Sequence, residues 1–123
     1  MDNIFQENTS WTFVVPCEIP EDVKELIIPG EEAVCAYKTL RDVAIFTNKR
    51  LIVRDAQGVT GKKIEMYTLP YSSIIMYSTE NGRKFLDANS EIELWTKAGK
   101  IKINLDKKVN IREIDRLLAM HIL

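Results

Sequence analysis

From Glu32 to Leu105, apolar and β-branched residues recur in short runs, and no connection between the runs has room for a crossover helix. No other feature of the chain narrows the fold as much. "AVCAYKTL", "DVAIFT", "RLIVRD", "KIEMYTLPY", "SIIMYSTE", "SEIELWT" and "KIKINL" make seven predicted strands separated by turn residues. Parallel strands need a connection of about a dozen residues or more, so the pairing is antiparallel. The expected class is mainly β, a seven-stranded antiparallel barrel or sandwich.

One hairpin can be given a register. With Trp95 opposite Lys100, Leu94 faces Ile101 and Ile92 faces Ile103 on one side, and Glu93 faces Lys102 on the other. A slip of one residue would set Leu94 against Lys102 and mix the faces. The Glu93–Lys102 pair is expected to contribute about 0.2–1 kcal/mol.

Two helices flank the strands. In "IPEDVKELIIPGEE", Pro20 presets φ and Glu21 and Asp22 favour the positive end of the helix dipole. Val23, Leu26 and Ile27 then share a face, and Pro29-Gly30 stops the helix. Near the end, Asn110 is an N-cap, Glu113 completes a capping box, and Val109 can staple onto Ile114. Ile111, Ile114, Leu117 and Leu118 form the stripe of a helix that caps the barrel or presses on one sheet.

Composition removes several functional classes. Seventeen basic residues against eighteen acidic ones leave a net charge of −1, which gives no global pull toward nucleic acid. No run approaches the roughly 20 apolar residues of a membrane-spanning helix. "MDNIFQENTS" is unlike a secretory signal, so the expected location is the cytoplasm. Cys17, Cys35 and His121 are too few for a zinc site and lack its spacing; the thiols read as reduced and mostly buried.

The strand order followed by one capping helix resembles a pleckstrin-homology (PH) fold. "FTNKRLIVRDAQGVTGKKIEMYTLPYSSI", residues 46–74, resembles the signature of small bacterial PH-like domains once classed as a domain of unknown function. "GEEAVCAYKTLRDVAIFT" and "LDKKVNIREIDRLLAMHIL" are similar to the same family, so the resemblance covers about residues 30–123. The resemblance implies a ring-shaped homo-oligomer without enzymatic activity; an unidentified protein partner and no cofactor are also expected. On this reading residues 20–123 are one PH-like domain and residues 1–19 an N-terminal extension able to add a strand.

"DAQGVTGKK", residues 55–63, is the stretch most like a phosphate site. A P-loop needs G-x-x-x-x-G-K-[ST] and a following helix. Here Gly58 and Gly61 are too close, Lys63 stands where the hydroxyl belongs, and a strand follows, so the loop reads as a wide hairpin turn. Lys62 and Lys63, with Lys38 and Arg41 on the preceding turn, form the alternative site, for an anionic ligand or a membrane lipid headgroup. Asp42 beside Arg41 argues against it.

No catalytic set emerges. His121 reads as a cap for the last helical carbonyls, Ser72-Ser73 and Thr9-Ser10 lack a nucleophile's setting, and Glu31-Glu32 and Asp106 read as solvated turn acids. Tyr67 and Tyr71 read as core or rim residues. One segment has no role within the seven strands. In "SWTFVVP", Trp11, Phe13 and Val15 alternate with Thr12 and Val14. The segment is expected to join a sheet edge or a subunit interface, unless it folds back on its own barrel.

Overall fold

The structure, a computed structural model, describes residues 8–13, 15–39, 41–80, 90–106 and 109–123. Two short strands, β1 (Asn8–Phe13) and β2 (Val15–Pro16), come first, followed by the single-turn helix α1 (Glu21–Lys24). All seven predicted strands follow: β3 (Ala33–Lys38), β4 (Asp42–Thr47), β5 (Arg50–Gln57), β6 (Lys63–Pro70), β7 (Ile74–Glu80), β8 (Ser90–Thr96) and β9 (Gly99–Leu105). Helix α2 (Ile111–Ile122) ends the chain. The described strands form two sheets, ordered β2-β3-β4-β5-β6 and β1-β9-β8-β7, with antiparallel pairing from β2 to β6 and from β7 to β9. A 3-10 turn at Tyr71–Ser73 separates the last strand of the first from β7.

In the five-stranded unit, alternation assigns each residue to a face. Val23 of α1 covers Ala36, Ile45 and Ile52, with Cys17, Ile19, Ile27 and Met66 around them. The other face buries Tyr37, Ala44, Phe46, Leu51 and Val53, and the Tyr37 and Phe46 rings meet edge to face. Cys17 and Cys35 are not in a disulfide and lie on opposite faces, both half-buried, and burial pushes Cys17 up.

Helix α1 is shorter than its sequence suggests. It stops at Lys24, and Leu26, expected on its buried face, is 38% exposed. Arg50 Nη2 donates to the Leu26 carbonyl at 2.8 Å, occupying an oxygen that a longer helix would bond itself. Pro29 has no N–H to offer such a helix, and Gly30 turns left-handed at φ 83°.

In the four-stranded unit, the β8–β9 register is as expected: Leu94 opposite Ile101, Ile92 opposite Ile103 and Glu93 opposite Lys102. Ile92, Leu94, Ile101 and Ile103 are at most 1% exposed. The ion pairs, however, run diagonally. Lys100 meets Glu93 at 3.0 Å and Lys102 meets Glu91 at 3.2 Å, because long side chains reach across the twisted ladder. Lys100 also lies 5.3 Å from the Trp95 ring centre.

Asn110 caps α2 by accepting the Arg112 N–H at 3.0 Å. Ile114 and Leu118 are fully buried. The helix lies against β7, where the Thr79 hydroxyl donates to Asp115 at 2.7 Å.

Of the placements left open for "SWTFVVP", the structure shows pairing within its own chain: it supplies β1 at the edge of the sheet beside β9, and β2 beside β3 with Val15 opposite Lys38. Open backbone donors and acceptors on a sheet edge accept any extended segment that can reach them. The side chains of Trp11 and Phe13 lie outside the described residues; Val15 is half-buried.

Candidate functional site

Chemistry-bearing side chains collect at the two ends of the five-stranded sheet. At one end the β4–β5 turn, Thr47–Arg50, meets the segment Gly30–Glu32. Glu31, expected to be a solvated turn acid, has a side chain with no exposure at all. Arg50 grips it with two bonds, Nε to Oε2 at 2.8 Å and Nη2 to Oε1 at 3.0 Å, and the Thr47 hydroxyl lies 2.7 Å from Oε2. These donors hold the carboxyl at about 2, the Arg50 bonds contributing most.

Asn48 completes the joint: its Oδ1 accepts the Glu32 N–H at 2.8 Å and its Nδ2 donates to the Gly30 carbonyl at 3.1 Å. The buried Tyr71 hydroxyl donates to the Thr47 carbonyl at 2.7 Å, and burial pushes that phenol above its ordinary range. Glu31 escaped sequence reasoning because its partners lie 16 to 19 residues away. The available signal was the arginine closing a tight turn otherwise built for a strand.

The opposite end holds all four basic candidates. Lys38 ends β3, Arg41 sits in the β3–β4 turn, and Lys62 and Lys63 leave the β5–β6 loop; all four are exposed. "DAQGVTGKK" is the hairpin turn its glycines suggest. Gln57 pairs with Lys63, Gly58 and Gly61 have φ of 80° and 69°, and the Gly61 N–H donates to the Gly58 carbonyl at 3.2 Å. The Arg41 guanidinium also donates to that carbonyl and so ties the two turns together. Among the described residues, none of the four cations is in an ion pair.

Beside them stands a row that sequence reading missed. Asp42, Asp55 and Glu65 are directly opposite one another on β4, β5 and β6. Burial and a hydrogen bond to Asp55 raise Asp42 to about 6. Gln57 donates to Asp55 at 3.1 Å, and the Tyr67 hydroxyl donates to Glu65. Burial and Glu65 push Tyr67 up to about 12.

The remaining candidates do not converge. His121 is half-buried in the last turn of α2, Ser72 and Ser73 lie in the 3-10 turn, and Thr9 and Ser10 lie in β1. The Asp106 carbonyl accepts the Val109 N–H in the turn before α2. Among the described residues, no three His, Cys, Asp or Glu side chains are placed to hold a metal, and no helix is long and apolar enough to cross a membrane.

Residues 5–122 match the family described as "Bacterial PH domain", a span that takes in β1, β2 and α1 as well as the strings quoted above. The uncharacterised protein YjqA of Bacillus subtilis is 36% identical over 104 residues, covering 82% of each chain. Among solved structures, a DUF1696 family protein with a pleckstrin-homology domain from Shewanella loihica is 32% identical with a TM-score of 0.79, over 89% of this chain and 97% of that one. A pleckstrin homology domain from Shewanella amazonensis is 33% identical with a TM-score of 0.65, over 83% of each.

Proposed function

Because the chain belongs to the bacterial PH domain family, we propose that it is a non-catalytic protein-interaction module that assembles with copies of itself. The observation that carries this reading is on β7, an edge strand of the four-stranded sheet. Ile75 and Met76 are 71% and 54% exposed, side by side at an irregularity in the β7–β8 pairing. Adjacent apolar side chains on an open edge favour association.

The other edge of that sheet is β1, the strand that carries Trp11 and Phe13. Joining β7 of one copy to β1 of the next is a heterologous contact, which closes into a ring where the rotation permits. Val15, just beyond β1, belongs to the same candidate interface. Light scattering on the full chain tests the reading: a mass several times 14.2 kDa is expected. Ile75→Lys with Met76→Lys, or removal of residues 1–16, should lower it while leaving a folded protein. A monomeric wild type at micromolar concentration would sink the proposal.

A second reading has one observation in its favour. Lys38, Arg41, Lys62 and Lys63 come to one end of the sheet and form no ion pair among the described residues, a setting for an anionic ligand or lipid headgroup. The adjacent acid row weakens it. Co-sedimentation with anionic vesicles across a salt series tests it, since binding through exposed cations must fall as salt rises.

A further inference from the structure

Three carboxyl groups face one another across β4, β5 and β6, and among the described residues none of the three is in an ion pair. Like charges directly opposite in a ladder are destabilising, and two carboxylates in one site resist ionising together. Each group has found a neutral donor instead. Glu65 accepts the Tyr67 hydroxyl, Asp55 accepts the Gln57 amide, and Asp42 accepts the Ala56 N–H. Asp42 and Asp55 are directly opposite in the ladder. Two carboxylates held that close share one proton more readily than both ionise.

Arg41, next in sequence to Asp42, acts on it through its charge but forms no ion pair with either aspartate. Its guanidinium donates to the Gly58 carbonyl across the gap between two turns. Gly61 leaves room for it, since a Cβ there would lie 3.1 Å from Arg41 Nη2.

We propose that the proton shared by Asp42 and Asp55 governs the Arg41 latch on the β5–β6 loop. With the proton in place the pair carries a single negative charge, and Arg41 stays on the Gly58 carbonyl. When Asp42 releases the proton to water the pair carries two charges. The guanidinium beside it then exchanges the carbonyl for the carboxylates, because a charge-assisted bond is the stronger one. The loop is thereby unlatched.

The charged groups around this pair are Lys38 at the end of β3, Arg41 in the turn, and Lys63 and Glu65 on β6. Tyr67, pushed up to about 12, keeps its proton throughout. The latch does not depend on whether this end of the sheet binds an anion.

Nuclear magnetic resonance on the full chain tests the proposal, following the Asp42 side-chain carboxyl carbon and the Gly58 and Gly61 amides from about pH 4.5 to about 8. The three signals are expected to share one midpoint near 6. In Asp42→Asn and in Asp55→Asn the glycine amides should lose that transition, while Lys62→Ser with Lys63→Ser should keep it. An Asp42 carboxyl with an ordinary midpoint overturns the proposal. So do glycine amides that stay flat while Asp42 titrates. The wild-type titration alone decides, even if a variant fails to fold.

Discussion

The two ends of the five-stranded sheet spend charge in opposite ways. At the Thr47–Arg50 end, the buried Glu31 carboxylate meets a two-pronged guanidinium, a hydroxyl and the Ile28 N–H, and every partner is part of the chain. At the Asp42–Lys63 end, acid faces acid, while four exposed cations form no ion pair among the described residues. The first arrangement fixes a joint; the second leaves charge that can respond to pH or to a partner. The contrast also sorts the family signature. "FTNKR" and "GEE" are the two halves of the closed joint, so that part of the resemblance marks how the fold is held. "GVTGKK" lies at the responsive end.

The strongest way to break this contrast is to unbalance the closed end. Glu31→Ala leaves Arg50 partly buried without its carboxylate and should cost about 3–5 kcal/mol in chemical denaturation. A loss under about 1 kcal/mol would show that the joint is not closed in solution. Next in size is Tyr71→Phe, which strands the Thr47 carbonyl. A cost of about 1–3 kcal/mol is expected in the same assay.

At the other end the sign reverses. Asp42→Asn should stabilise the fold at pH 7.5 by about 1–2 kcal/mol, a figure reduced from the full shift because solvent screens the half-buried pair. Because the folded protein raises Asp42, its contribution is complete below about 4 and lost as pH rises through about 6. Glu31 behaves conversely, since its lowered value gives stability that is present above about 4.5 and lost as pH falls through about 2. Thermal midpoints measured from pH 3 to pH 8 should therefore be highest between these windows, and Asp42→Asn should flatten only the upper limb. The smallest effect is expected from Lys62→Ser with Lys63→Ser, within about 0.5 kcal/mol of wild type in denaturation. A larger loss would mean that the exposed cations are engaged after all.

Period-two patterning made all seven strands legible, and the β8–β9 register with them, because a slip would have placed Lys102 on the face of Leu94. The glycines of the 58–62 loop likewise announced a turn. What stayed hidden was non-local. The diagonal pairing of Lys100 with Glu93 depends on sheet twist, which no residue spacing records. The early end of α1 depends on Arg50, 24 residues beyond Leu26. Asp42, Asp55 and Glu65 look like scattered turn and strand acids until two hairpins align them. The alternation in "SWTF" was readable as a strand, but its partner was not, since β9 comes at the far end of the fold.

That last pairing has a consequence in time. In the five-stranded sheet the order across the sheet is the order along the chain, and short turns join β3, β4, β5 and β6, so those ladders zip locally. Strand β1 must instead find β9 across a closure on the order of 90 residues, which costs about 2.5 kcal/mol more in chain entropy than a five-residue turn. Contacts of that separation form late, after the sequential hairpins have reduced the search. The same arithmetic runs in reverse when the protein opens, and the amides of β1 should exchange before those of β4 and β5. The strand that leads the chain is the last one placed and the first one lost.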